Sequence, residues 1–214
     1  MRGPFAKALA AGALAVLLLL VPSTWAGPPP TGIEVRDDEF VPGNASQLLE
    51  SSTTWQWADD ITDEHNVRED HKLFYSGAPT SNTATEATQT ISAGTFHYYC
   101  EVHGSKSGGM DGVVAVAPAQ TPPLTNDLFG VRWADGSLDT GDQFDLRWKG
   151  PGSGGKYEAW FKNTSLAIYD FGDANYPVDV KPGKTYRIQA RSEIASNPKR
   201  HSGWSPPLKV TAPH

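Results

Sequence analysis

Side chains that bind soft metal ions lie close together near the middle of this 214-residue chain. The segment TFHYYCEVHG contains Cys100 and, after two further residues, His103. Alternation along a strand places Cys100 on the apolar face, and the strand should end just after His103, so that a loop can turn the imidazole back towards the sulfur. The loop GSKSGG then leads to Met110. A thiolate, an imidazole and a thioether therefore converge on one connection between two strands.

This donor set favours particular metals. Sulfur and imidazole ligands select copper or zinc over magnesium or calcium, and one cysteine, two histidines and a weak axial methionine describe a copper electron-transfer site. A second histidine must come from elsewhere in the chain.

Cys100 is the only cysteine, so it cannot form an internal disulfide. The alternatives to a metal ligand are an inert buried thiol, a bridge between chains and a nucleophile. A nucleophile is disfavoured because Cys100 faces inward on a strand rather than lying at an exposed helix N-terminus. The histidines outside this region are expected to be solvated: His71, His97, His201 and His214.

The elements that must position these donors are short strands. Segments such as IEVRDDEF, TTWQWAD, HKLFYSG, TFHYYCEV and GVVAV alternate between apolar and polar residues and are separated by Gly, Pro, Asn and Ser. Seven further segments follow at regular spacing, from LFGVRWAD to PLKVTA. We therefore predict an all-β protein of two β-sandwiches, with one domain over residues 27–118, a Pro-rich linker over 119–125 and a second domain over 126–214.

The first 26 residues have the three parts of a secretory signal: basic Arg2 and Lys7, an apolar run closed by Pro22, and small residues before Gly27. The apolar run is shorter than the roughly 20 residues that span a bilayer. We expect an exported protein, periplasmic, extracellular or associated with a cell surface, with no membrane span in the mature chain.

Charge is divided unevenly between the two predicted domains. Residues 27–118 contain 14 acidic and 4 basic residues, whereas residues 119–214 contain 10 acidic and 12 basic residues. A strongly acidic domain argues against nucleic acid as its partner, because phosphate binding needs a basic surface. A redox partner protein with a basic surface is favoured, and Asp59, Asp60, Asp63 and Glu64 are candidates to steer it.

Residues 32–117 resemble the cupredoxin family, especially its plastocyanin-like members. In that family a His-Asn pair follows a strand that contains tryptophan, and WQWADDITDEHN supplies His65 and Asn66. KLFYSG is similar to the family's short segment ending in Ser-Gly, AGTFHYYCEVHG to its ligand strand, and GMDGVVAV to its closing strand. The resemblance implies a Greek-key β-sandwich that binds one copper ion.

Carried over position by position, the resemblance implies His65, Cys100 and His103 as equatorial copper ligands and Met110 as the axial ligand. Asn66 would connect the two ligand loops by hydrogen bonds. His103 would pass electrons through its exposed edge, and Tyr99 would offer a second route. The sequence departs from the family in one respect, since the six residues between His103 and Met110 exceed the usual spacing.

The second domain resembles a fibronectin type III module over about residues 121–212. QFDLRW supplies Trp148, VKPGKTY resembles the turn before a tyrosine corner and supplies Tyr186, and SGWSPPLKV supplies Trp204. These residues are expected in the core or in stacking contacts. The domain is expected to act as a spacer or to dock to a protein or a carbohydrate.

The function that these features predict is one-electron transfer by a mononuclear type 1 copper centre, without enzymatic activity. Paired His-x-His or Cys-His motifs, which the resemblance would require for further copper centres, are absent from the sequence. Two alternatives remain open at this level. One is copper delivery, storage or sensing, and the other is a metal-free adhesion module.

Overall fold

The structure is a computed structural model, and it describes residues 31–49, 51–122, 129–135, 142–171 and 180–214. Strands joined by turns, bends and irregular segments make up these residues, and no helix occurs among them. Within the same ranges, no helix is long and apolar enough to cross a membrane. The predicted signal peptide, residues 1–26, lies outside the described residues. The prediction of all-β structure is confirmed.

Two four-stranded sheets form the first sandwich. One sheet has the order β2-β1-β4-β6 and the other has the order β3-β8-β7-β5. Two pairings are parallel, β1 with β4 and β3 with β8, which shows that the chain crosses between the sheets rather than running as simple hairpins. The strands are β1 Thr31–Arg36, β2 Glu39–Val41, β3 Asn44–Gln47, β4 Ser52–Trp57, β5 Arg68–Glu69, β6 Glu86–Thr90, β7 Gly94–Ser105 and β8 Gly108–Val116.

Aromatic residues from both sheets fill the space between them. Tyr98 of β7 lies 4.9 Å from Phe40 of β2 and 5.3 Å from Trp55 of β4, measured between ring centroids. Trp55 also contacts Phe74 at 5.2 Å. Burial of such rings is the main stabilising contribution to a sandwich core. The core therefore holds β7, the predicted ligand strand, rigidly against the opposite sheet.

The segment IEVRDDEF was predicted as one strand and is instead a hairpin. β1 ends at Arg36, Asp37 and Asp38 form the turn, and β2 begins at Glu39. Asp38 adopts a φ of 63°, a left-handed conformation that aspartate tolerates better than most residues. The turn places Asp37 at the end of the sheet rather than within it.

The predicted strand HKLFYSG, residues 71–77, does not form; within it only Tyr75 makes an isolated β-bridge, to Arg68. The strand of this region is β5, Arg68–Glu69, which ends before the predicted segment begins, and a turn follows it. The buried carboxylate of Glu69 accepts hydrogen bonds from the backbone N–H groups of His71 and Leu73, at 2.7 and 3.0 Å. These bonds replace the pairing that a strand would make, so the chain turns at Lys72 with a φ of 63°.

The second sandwich contains a sheet of order β13-β10-β9 and a sheet of order β12-β11-β14-β15, with β16 also paired to β14. Residues 119–121 of the predicted linker form β9 and pair with β10, whereas residues 123–125 lie outside the described residues. The strands are β9 Ala119–Thr121, β10 Phe129–Arg132, β11 Asp142–Lys149, β12 Glu158–Thr164, β13 Ile168–Phe171, β14 Thr185–Ile194, β15 Asn197–His201 and β16 Leu208–Thr211.

Three aromatic residues predicted in the second domain take the expected environments. Trp148 and Tyr186 are buried, and the Tyr186 hydroxyl accepts a hydrogen bond of 2.8 Å from the Lys181 backbone N–H. Trp204 is half-buried and stacks on the guanidinium of Arg147, whose carbon lies 4.1 Å from the ring centroid. These contacts confirm the expectation of core and stacking roles.

The two sandwiches meet at the start of β7. Thr95 and Gly203 exchange two backbone hydrogen bonds of 3.0 and 2.8 Å. Arg200 donates from Nε to the His71 carbonyl at 2.5 Å and from Nη2 to the Lys72 carbonyl at 2.6 Å. The second sandwich is therefore joined to the first by backbone pairing and by a charged side chain.

Candidate metal centre

Cys100 lies near the end of β7, where the alternation of the strand turns its side chain into the protein. Phe96, Tyr98 and Cys100 are each at most 2% exposed, whereas His97 is exposed. The predicted strand parity is therefore confirmed, and it brings the only sulfhydryl group of the chain into the buried end of the sandwich.

His65 comes from the loop between β4 and β5. Its backbone pairs with Thr80, since the His65 N–H donates to the Thr80 carbonyl at 3.0 Å and the Thr80 N–H donates back at 2.9 Å. The indole of Trp57 donates to the same Thr80 carbonyl at 2.9 Å. His65 is therefore held by the same kind of backbone pairing that holds a strand residue, although it lies in a loop. Its side chain is fully buried.

The residues between His103 and Met110 form a β-hairpin. Gly104 pairs with Gly109 and Ser105 with Gly108, so the extra length extends outward as a turn. A Cβ at Gly104 would lie 2.4 Å from the Met110 carbonyl oxygen, so glycine is required where the two strands approach. The unusual spacing therefore leaves Met110 in contact with His65.

Four donor atoms converge at this end of the sandwich. His65 Nδ1 lies 3.1 Å from His103 Nδ1 and 3.2 Å from Met110 Sδ. Cys100 Sγ lies 3.7 Å from each of the two Nδ1 atoms. An ion bound at about 2.0–2.3 Å in a trigonal plane would separate nitrogen and sulfur donors by about 3.5–3.7 Å. The cluster is therefore close to the size that one metal ion needs.

The donor set also fits a particular metal. Two imidazole nitrogens and a thiolate in a trigonal arrangement, with a thioether as a fourth and weaker donor, is the ligand set of copper electron-transfer sites. Among the described residues, His65, Cys100 and His103 form the one group of three metal-binding side chains that meets the distance requirement. The residues present thus fit a copper ion.

Exposure divides the four donors into two kinds. His65, Cys100 and Met110 are at most 2% exposed, whereas the side chain of His103 is 20% exposed. The imidazole edge of His103 is therefore the point where this cluster meets the solvent.

Asn66 connects the segments that carry the donors. Its side-chain oxygen accepts the Glu101 backbone N–H at 2.9 Å, directly after Cys100. Its amide nitrogen donates to the Gly77 carbonyl at 3.0 Å and to the Glu101 carboxylate at 2.8 Å. Glu101 is also paired with Arg68. Because Asn66 is fully buried, these bonds hold the His65 loop and β7 together without competition from water.

Asp37 contacts the cluster and was missed by the sequence analysis. Its Oδ1 lies 3.1 Å from His65 Nε2, the nitrogen that faces away from the other donors. Hydrogen bonds from the Thr62 hydroxyl and the Asp63 backbone N–H, with that of His65, hold the pKa of Asp37 well below its usual range. Only the acidic pair within the predicted strand IEVRDDEF would have hinted at this turn.

Two other sequence predictions concern the surroundings of the cluster. Tyr99 is half-buried on the opposite face of β7 from Cys100, paired with Arg68 and Asp111 across the sheet. The acidic residues before His65 are exposed, and Asp63 lies 3.9 Å from His103 Nε2 through its Oδ2 atom. One exposed carboxylate, that of Asp63, therefore lies beside the exposed imidazole of His103.

The fold and the cluster together define an all-β protein in which His65, Cys100 and His103 form one cluster of metal-binding side chains, with Met110 beside His65. No protein-family model matches the chain, and a search of curated proteins gives no match.

Solved structures similar to part of the chain include the oxidised plastocyanin of Dryopteris crassirhizoma, at 18% identity over 40% of this chain and 99% of that chain, with a TM-score of 0.34. A purple cupredoxin from Nitrosopumilus maritimus is similar at 22% identity over 41% and 99%, with a TM-score of 0.34. A copper-containing nitrite reductase from Thermus scotoductus is similar at 17% identity over 55% and 26%, with a TM-score of 0.35.

Proposed function

We propose that the first domain is a mononuclear type 1 copper centre of the cupredoxin kind and that it carries single electrons. The observation that supports this most directly is the convergence of His65 Nδ1, His103 Nδ1, Cys100 Sγ and Met110 Sδ within one buried cluster. Copper bound there supplies a one-electron couple between Cu(II) and Cu(I).

The protein's contribution is a site that changes little between the two oxidation states. His65 is held by backbone pairing with Thr80, and Cys100 is fixed within a strand that packs on the core. Met110 is anchored by the hairpin that begins at Gly104. Because every donor is positioned before the metal binds, an electron can be gained or lost with little rearrangement of the protein.

Electrons enter and leave, in this proposal, through the exposed edge of His103. Tyr99 offers a second route, since it directly precedes Cys100 in β7. The acidic residues Asp59, Asp60 and Asp63 would attract a redox partner with a basic surface and raise its association rate. We expect electron-transfer rates to a cationic partner to fall as salt concentration rises, and unchanged rates would contradict the steering role.

For the second domain we propose a fibronectin type III-like fold that acts in docking to a protein or a carbohydrate. The bond from the Lys181 N–H to the Tyr186 hydroxyl supports the fold part of this proposal, because a tyrosine hydroxyl bonded to the backbone a few residues upstream is the contact of a tyrosine corner. The composition of residues 1–26 supports export, so we place the protein outside the cytoplasm. We divide the mature chain as residues 27–118 and 126–214, with residues 119–125 between them.

Addition of Cu(II) to the purified chain tests the central proposal. We expect an intense visible band from charge transfer between the Cys100 thiolate and copper, and a reversible one-electron wave in cyclic voltammetry. The Cys100→Ala variant should lose the band. A colourless wild-type protein would support a metal-free adhesion module, and a coloured protein that releases copper on reduction would support copper delivery.

A further inference from the structure

The carboxylate of Asp37 is held in place on both sides of its contact with His65. The Thr62 backbone N–H donates to Oδ1 and Oδ2 at 3.1 Å each, the Thr62 hydroxyl donates to Oδ2 at 2.7 Å, and the Asp63 N–H donates to Oδ1 at 3.1 Å. Oδ1 is then 3.1 Å from His65 Nε2. The turn between β1 and β2 thus presents a fixed negative charge to the back of one imidazole ring.

The two imidazole rings differ in this respect. His65 is fully buried and has a carboxylate within hydrogen-bond distance, whereas His103 is 20% exposed and the Asp63 carboxylate lies 3.9 Å from its Nε2. With Nδ1 directed at the donor cluster, Nε2 of His65 must carry the proton, and Asp37 is the acceptor for it. A carboxylate in this position fixes the tautomer and increases the basicity of the other ring nitrogen.

We propose that Asp37 is a positioning residue that makes His65 a stronger ligand and favours Cu(II) over Cu(I). This inference rests on the proposed function. Cu(II) is favoured because it carries more positive charge than Cu(I), so the fixed negative charge of the carboxylate stabilises it to a greater extent. Asp37 therefore lowers the midpoint potential of the centre and restricts the orientation of the His65 ring.

The test compares Asp37→Asn with the wild type in the full-length copper protein. The asparagine side chain has the same shape and its oxygen can still accept the His65 Nε2–H, so the variant removes the charge with little change in packing. We expect the preference for Cu(II) to fall about tenfold. That ratio corresponds to a rise of about 59 mV in the midpoint potential of a one-electron couple.

Two matched variants separate this effect from others. Asp38→Asn removes the same charge one residue away, on an exposed side chain whose left-handed φ of 63° asparagine tolerates. Thr62→Val removes the 2.7 Å hydroxyl bond to Asp37 but leaves its carboxylate. We expect both to shift the potential much less than Asp37→Asn does, even where Thr62→Val lowers stability.

A second readout does not depend on the potential. In the Cu(I) protein, the ¹⁵N-attached proton of His65 Nε2 should be visible by NMR at a strongly downfield shift, move upfield in Asp37→Asn, and exchange with water in Asp37→Ala. Equal potentials in Asp37→Asn and Asp38→Asn, or an unchanged His65 proton signal, would overturn the inference. A wild-type protein without the visible band would instead contradict the proposed function, so the two failures are distinguishable.

Discussion

Replacement of Asn66 by alanine removes the connection between the His65 loop and β7. Three hydrogen bonds of 2.8 to 3.0 Å are lost, and one of them ends on the Glu101 carboxylate. A neutral hydrogen bond contributes about 0.5–1.5 kcal/mol and one to a charged group about 1.5–3 kcal/mol. Because Arg68 remains to pair with Glu101, we take the lower ends of these ranges. The free energy of unfolding should fall by about 2.5 kcal/mol.

Urea denaturation of the copper-free protein, followed by circular dichroism and tryptophan fluorescence, measures this loss without a contribution from metal binding. Asn82→Ala is the matched control, since Asn82 is exposed and its side chain accepts one bond, of 3.1 Å, from the Ala84 N–H. The control should lose about 0.5 kcal/mol. If Asn66→Ala lost no more than the control, the interpretation of Asn66 as the connecting residue would be refuted.

Three further changes test other parts of the structure. Gly104→Ala places a methyl group 2.4 Å from the Met110 carbonyl oxygen, so it should destabilise the hairpin by about 1–3 kcal/mol and weaken the visible band. Gly32→Ala is the control, because a methyl group there meets no atom within 4 Å, and it should have neither effect. Arg200→Ala removes two hydrogen bonds between the sandwiches and should lower the unfolding free energy by about 1–2 kcal/mol. The visible band should not shift, and a shift would contradict our view that the contact between the sandwiches is independent of the copper centre. Burial raises the pKa of Glu193, and the nearby Asp145 carboxylate adds to the rise, so the stability that the protonated form contributes at low pH is lost as pH rises above the usual range of a glutamate carboxyl. Glu193→Gln should lessen this loss in urea titrations. Identical pH profiles for variant and wild type would rule out that role.

Cys100 and His103 were predictable because their placement depends on short-range patterns, whereas His65, 35 residues before Cys100, was identified only through the resemblance to the cupredoxin family. The alternation of β7 determines that Cys100 faces the core, and the short spacing to His103 determines that both donors lie at the same end of the strand. The hairpin after His103 was less predictable. Its outcome depends on the pairing of Gly104 with Gly109, which the count of intervening residues does not reveal.

Asp37 could not be predicted because its role depends on contacts far along the chain. Its partners Thr62 and His65 are 25 and 28 residues away in sequence. The alternating pattern of IEVRDDEF also favoured an unbroken strand, in which Asp37 would have faced solvent or an adjacent strand. The turn forms because Asp38 adopts the left-handed conformation, and a single sequence gives little indication of that choice.

The placement of the joint between the domains has a consequence for electron transfer. Thr95, which pairs with the second sandwich, precedes Cys100 by five residues, or about 17 Å of strand at about 3.3 Å per residue. The second sandwich contacts the first at that end of β7 and at the 71–72 turn, so in the part of the chain that the structure describes it leaves the His103 edge uncovered.

A bulky domain fused after His214 should therefore leave the electron-transfer rate to a soluble partner unchanged. The fusion point is remote from the joint, because Thr211 pairs with Thr185 at the start of β14 whereas Ser192, which bonds to the first sandwich, lies near its end. A label of similar bulk on a Val102→Cys variant, next to His103, should slow the same reaction. Stopped-flow measurements of both proteins decide the matter: if the fusion slowed transfer as much as the label, the second domain would have to lie beside the copper centre rather than beyond the opposite end of β7.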